Sequence, residues 1–70
     1  MTAVSRGVQK LLRQALLYGY LHERGGRLYH PGGNLPVCSR ALAEQVIKAG
    51  FILNNGQRYE LTEEGRRAAQ

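Results

Sequence analysis

The stretch SRALAEQVIKAGFILNNGQRYELTEEG, residues 39–65, decides the fold, because it reads as helix, glycine stop, two-strand hairpin and second capped helix. Ser39 is placed as an N-cap whose hydroxyl accepts from a free backbone N–H of the first turn. Leu42, Ala43, Val46 and Ile47 follow at the three-and-four spacing of a buried helix face. Gly50 stops the helix, since the position after a C-cap needs positive φ. Phe51 just beyond it can pack back on Val46, the contact of a Schellman ending. The spacing predicts a helix over 39–49.

Phe51-Ile52-Leu53 and Tyr59-Glu60-Leu61 are β-prone runs on either side of Asn54-Asn55-Gly56-Gln57, a strong hairpin signal. Strands are expected over 51–54 and 57–61. A two-residue Asn55-Gly56 loop sets Ile52 opposite Tyr59. A three-residue loop with Gly56 left-handed sets Phe51 opposite Tyr59, and is favoured because Phe51, Leu53, Tyr59 and Leu61 then share one apolar face, with Ile52, Arg58 and Glu60 on the other. Thr62 caps a last helix over 63–69, whose first turn carries Glu63 and Glu64 where the helix dipole favours acids.

The run from helix through Ala49-Gly50-Phe51-Ile52 and a hairpin into Leu61-Thr62-Glu63-Glu64-Gly65 resembles the second half of winged-helix domains, small helix-turn-helix variants common among bacterial and phage regulators. The resemblance covers about 27 of the 70 residues. It implies one α+β domain over residues 1–70, winged-helix-like, with a long N-terminal helix, a short strand, a recognition-type helix, a hairpin wing and a short C-terminal helix. It also implies double-stranded DNA as partner. The helix beginning at Ser39 would present Ser39, Arg40, Glu44 and Lys48 to the major groove, with Arg40 as base reader. Asn54, Asn55, Gln57 and Arg58 at the wing would touch phosphate or minor groove, and Arg27 and Arg24 would extend the basic track.

Upstream, Val4, Val8, Leu11, Leu12, Ala15, Leu16, Tyr18 and Leu21 form a helical stripe, with Thr2 or Ser5 as cap and Gly25-Gly26 as stop. A helix over 4–23 is expected. Its other side holds Arg6, Lys10 and Arg13, a basic ridge best read as a solvated face. Gly7 and Gly19 each cost about 1 kcal/mol relative to Ala inside a helix, and suit close packing against another helix. Arg27-Leu28-Tyr29-His30 alternates between glycine-rich brackets and reads as a strand that pairs with the wing. Pro31-Gly32-Gly33-Asn34 forbids the second helix a winged-helix domain would carry there, so residues 31–38 are expected to be irregular. The expected core is Val8, Leu11, Leu12, Ala15, Leu16, Leu28, Leu42, Val46, Phe51, Tyr59 and Leu61.

Ten Lys plus Arg against five acids give a net charge of +5 and a pI near 10.0, which favours phosphate-bearing partners. A chain this short buries only about 60% of its unfolded surface and has no room for a catalytic domain. Cys38 is the single cysteine, and no signal segment or apolar run of about 18 residues occurs, so a reducing cytoplasm is expected. His22, His30 and Cys38 lack the close spacing of a zinc site, so neither metal nor cofactor is expected. No third member completes a His30–Cys38 nucleophile pair, and Gly32-Gly33 lacks the lysine of a phosphate loop. The chain is therefore read as a binding module and not an enzyme.

Two readings of function follow. The first is a DNA-binding regulator. The alternative is a protein-interaction module, such as a phage-encoded inhibitor or adaptor, drawing on Tyr18, Tyr20, Tyr29 and Tyr59. The apolar surplus of the first helix also suggests a homodimer with that helix at the interface.

Overall fold

Ser5 opens the first helix of the computed structural model, which describes residues 5–70. Its hydroxyl accepts from the Val8 N–H at 3.2 Å, and α1 runs Arg6–Tyr18. The helix does not continue to residue 23 as expected, and the expected start at residue 4 and the alternative cap Thr2 lie outside the described residues. Gly19 ends it, taking φ +89° while its N–H bonds the Ala15 carbonyl at 2.9 Å. The chain then leaves as a strand.

Two hairpins, one further short strand and two further helices make up the rest of the described residues. β1 (Leu21–Arg24) and β2 (Arg27–Tyr29) are joined by Gly25-Gly26, both with positive φ (62° and 82°), as a two-residue type I′ loop requires. Gly25-Gly26 is thus a hairpin turn and not a helix stop. β3 (Cys38–Ser39) leads straight into α2 (Arg40–Lys48), then come β4 (Ile52–Asn55), β5 (Arg58–Leu61) and α3 (Glu63–Ala69). The architecture is α+β, with three helices and one antiparallel five-stranded sheet of order β3-β2-β1-β5-β4, and the element order roughly fits a winged-helix-like layout. β1 occupies the position beside the wing that was expected for β2. It pairs Leu21 with Tyr59 and His22 with Arg58, while β2 pairs with β1 and β3.

The local caps form where the sequence places them. Ser39 Oγ accepts from the Leu42 N–H, and Thr62 Oγ1 from the Gly65 N–H. After α2, Phe51 N–H bonds the Val46 carbonyl and Gly50 N–H the Ile47 carbonyl, the bond pair of a Schellman motif, with Gly50 at φ +85°.

The wing register matches neither expected alternative. The loop is Gly56-Gln57 with only Gly56 at positive φ (71°), as in a type II′ turn, and Ile52 faces Leu61 while Asn54 faces Tyr59. The slip turns the strand over. Ile52 is buried at 2% exposure and Leu53 is exposed at 44%, the reverse of the expected faces.

The core lies between the helices and one face of the sheet. Leu11, Leu12 and Ala15 of α1 meet Leu21, Leu28, Ile52 and Tyr59 of the strands, Ala43 and Val46 of α2, and Ala69 of α3. Val8, Leu42, Phe51 and Leu61, expected inside, are partly buried around this cluster, and Leu16, also expected inside, is 43% exposed. Gly7 does serve close packing: a Cβ there would lie 3.3 Å from Leu42 of α2. Gly65 is tighter still, since a Cβ would overlap the Phe51 carbonyl.

Candidate nucleic-acid interface

Strand pairing divides the proposed contact residues between two surfaces. On β1, Leu21 and Glu23 point toward the helices, so His22 and Arg24 project from the opposite face. The pairs His22–Tyr29, Arg24–Arg27 and His22–Arg58 carry that face across β2 and β5, and Asn55, opposite Arg58, extends it into β4. Tyr20, two residues before His22, lies on the same side, with the Arg58 guanidinium 4.4 Å above its ring.

α2 offers the other surface. Arg40, Ala41, Glu44, Gln45 and Lys48 are exposed along it. Arg40 is not free there. Its Nη1 lies 3.5 Å from Glu23 Oε2 and its Nε 3.5 Å from Glu44 Oε1, while its backbone N–H bonds the Gly26 carbonyl at 3.0 Å. The β1–β2 turn therefore abuts the N-terminus of α2, where a winged-helix domain would have its supporting helix. Arg40, Lys48 and Arg58 do not form one continuous positive face. The exposed wing residues Asn54 and Gln57 also part company with Arg58, because Asn54 shares the Tyr59 side of β5.

Glu23 is fixed from a second direction. The Tyr59 hydroxyl, on a buried ring, donates to Glu23 Oε1 at 3.0 Å. Burial, the hydrogen bond and the nearby carboxylate together push the Tyr59 phenol pKa up.

The open sheet face carries its cations differently. Arg24 stacks 4.4 Å over the Tyr29 ring, as Arg58 does over Tyr20, and His22 lies between the two pairs with its ring centroid 6.2 Å from that of Tyr29. Arg24, Arg27 and Arg58 are exposed, and among the described residues none forms an ion pair. The acid on this face is Glu60, opposite Leu53 and half-buried. Sequence reasoning placed Tyr20 and Tyr29 only in the protein-docking alternative and His22 only among rejected metal ligands, so it missed them as part of a nucleic-acid surface. The signal that pairs His22 with Tyr29 is Gly25-Gly26 between two alternating runs, which is a hairpin pattern.

His30 and Cys38 are occupied by structure. The His30 ring stacks on Tyr18 with centroids 4.2 Å apart, and its Nδ1 lies 3.1 Å from the Pro31 carbonyl. Cys38, on β3 opposite Leu28, has its thiol pKa pushed up to about 11 by burial, against a smaller opposing effect of Lys10. On α1, Arg6, Lys10 and Arg13 line an open depression of about 300 Å³ with Gln9 and Gln14.

Comparison with family models, curated proteins and solved structures returns no match for the chain.

Proposed function

We propose that the domain binds nucleic acid. The observation that carries this is how the acids are used. Arg40 takes Glu23 and Glu44, and Arg67 takes Glu63 and Glu64, so two arginines engage four of the five carboxylates. The other eight cations form no ion pair among the described residues. A surplus of unpaired, solvent-exposed Lys and Arg is what a phosphate backbone neutralises, with release of its counterions.

Duplex DNA read by α2 and the wing is one geometry of this function, with Ser39, Arg40, Glu44 and Lys48 at the groove. It requires Arg40 to exchange its carboxylates for the ligand. Exposed ion pairs of this kind are worth about 0–1 kcal/mol, so the exchange is affordable. The open sheet face needs no exchange, and the geometry supports it better.

The test is a salt titration of binding to random-sequence nucleic acid, duplex and single-stranded. The expected result is an affinity that falls steeply with salt, with a slope of about −0.7 to −0.9 per neutralised phosphate. Absence of binding to either form at low ionic strength would sink the proposal.

Exposed apolar side chains favour a second reading, a protein-docking role that includes self-association. Leu17 is 71% exposed at the end of α1 and Leu35 is 80% exposed in the loop before β3. Sedimentation at high micromolar concentration separates a monomer from a dimer built on these residues.

A further inference from the structure

We infer that the open face of the sheet is a platform for single-stranded nucleic acid, which specifies both the surface and the ligand of the nucleic-acid reading on which it rests. Three features converge there. The face is lined by two arginine–tyrosine stacks, Arg58 on Tyr20 and Arg24 on Tyr29, with His22 between them. Arg58, His22, Arg24 and Tyr29 stand on three adjacent strands, β5, β1 and β2, and Tyr20 immediately precedes β1. The helices pack on the opposite face, where Leu21, Leu28, Ile52 and Tyr59 are buried.

The chemistry fits unpaired bases better than a duplex. A base has two flat faces that are free only when it is unstacked, and rings or guanidinium planes on a sheet offer matching faces. Arginine beside tyrosine offers a base its guanidinium plane and a phosphate the N–H donors at its edge. Neighbouring side chains on one face of β1 are about 7 Å apart, two strand rises, and adjacent strands are about 5 Å apart. A stacked strand advances only about 3.4 Å per nucleotide, so a bound strand would be extended with its bases splayed on the face. A duplex hides its base faces and could use only the charges.

Charge complementarity points the same way. Arg24, Arg27 and Arg58 outnumber Glu60 on this face, and Glu60 lies toward its margin, where it lines a depression with Leu16, Gly19 and Arg66. RNA and single-stranded DNA share the chemistry argued here, bases plus phosphates. A 2′-hydroxyl is the feature that would separate them.

The experiment measures fluorescence anisotropy of three labelled probes of roughly 12 nucleotides, within the site sizes of such surfaces: oligo-dT, oligo-U and a random duplex. Both single strands are expected to bind more tightly than the duplex, and any gap between oligo-U and oligo-dT reports recognition of the sugar. Tyr29→Ala is expected to weaken single-strand binding about 5- to 100-fold, the effect of losing one stacked base, and Tyr29→Phe to retain it. Arg24→Ala, on an exposed side chain, should lower the salt slope by about 0.7 and leave the melting temperature unchanged, so it tests the face even where Tyr29→Ala misfolds. The paired variant Arg6→Ala/Arg13→Ala on α1 should bind single strands with the wild-type slope.

The inference is overturned if the duplex binds as well as either single strand. It is overturned equally if Tyr29→Ala and Arg24→Ala bind like the wild type while the α1 or Arg40 variants lose binding. In both cases nucleic-acid binding itself stands. If the wild type binds none of the probes, both proposals fall together.

Discussion

The Tyr59 hydroxyl and the Glu23 carboxylate meet at 3.0 Å across the seam between β5 and β1, and through the other oxygen of Glu23 the contact reaches Arg40 at the start of α2. One buried ring thus ties the wing, the first hairpin and the N-terminus of α2 into a single polar chain.

Tyr59→Phe keeps the ring in the core and removes the donor, leaving a partly exposed carboxylate to find water. The expected cost is about 1 kcal/mol, the middle of the range for a single hydrogen bond. Urea unfolding of the variant, with an unchanged m-value, checks it.

Gly65→Ala should destabilise the domain although alanine is the better helix former by about 1 kcal/mol. The added methyl would overlap the Phe51 carbonyl, which also accepts from the Thr62 N–H at 2.9 Å. Helix α3 must shift or undock, at an expected cost of about 1–3 kcal/mol. A thermal melt equal to or above that of the wild type would contradict this packing.

The wing register gives a paired test. Ile52→Ala should cost about 2–5 kcal/mol, because the side chain is buried, and Leu53→Ala under about 1 kcal/mol, because it is exposed. The expected register reverses that order, so comparing the two denaturation midpoints decides between them.

Stability should fall in alkali. The Cys38 thiol is raised from 9.0 to about 11 and the Tyr59 phenol is also raised, so each holds its proton in the folded state after the unfolded chain has lost it. The stabilisation is complete below about pH 9 and is lost as pH climbs toward about 11, by an amount on the order of 1–2 kcal/mol for the thiol. Urea midpoints measured across that window should decline, and Cys38→Ala should decline less. The same shift predicts slow alkylation of Cys38 at neutral pH.

Arg40→Ala and Arg58→Ala should differ in their effect on binding. Arg58 is unpaired and its loss should reduce the salt slope by about 0.7–0.9. Arg40 is engaged by Glu23 and Glu44, so its loss should change binding less. An Arg40 effect larger than that of Arg58 would instead favour α2 as the contact surface.

What could be read from the chain before its structure was whatever depends on near neighbours. Ser39, Thr62 and Gly50 cap and stop helices through groups within a few residues, so their roles were legible. Leu21 was not, because it continues the helical stripe from Tyr18 and also suits an alternating strand. Only Gly19 at positive φ and the Gly25-Gly26 turn decide between them. In the wing, Asn55-Gly56 is a common turn pair, but Gly56 takes the first turn position and Gln57 the second, so Tyr59 faces Asn54 and not Phe51, and that odd shift from the favoured register exchanges Ile52 with Leu53. The sheet-face cluster was hidden for a longer-range reason. Arg58 and Tyr20 meet only through the β1–β5 pairing, which no local pattern encodes.

The position of β1 also governs when the domain can come into being. It is the first strand in the chain yet the middle one in the sheet. Each hairpin closes through a two-residue loop and can zip on its own in about 1–10 μs. The join of Leu21 to Tyr59 is a different event, because it must wait for a segment much further along the chain. During synthesis the β1–β2 hairpin therefore leaves the ribosome with one flank open, and the nascent chain stays incomplete at its centre until β5 has emerged.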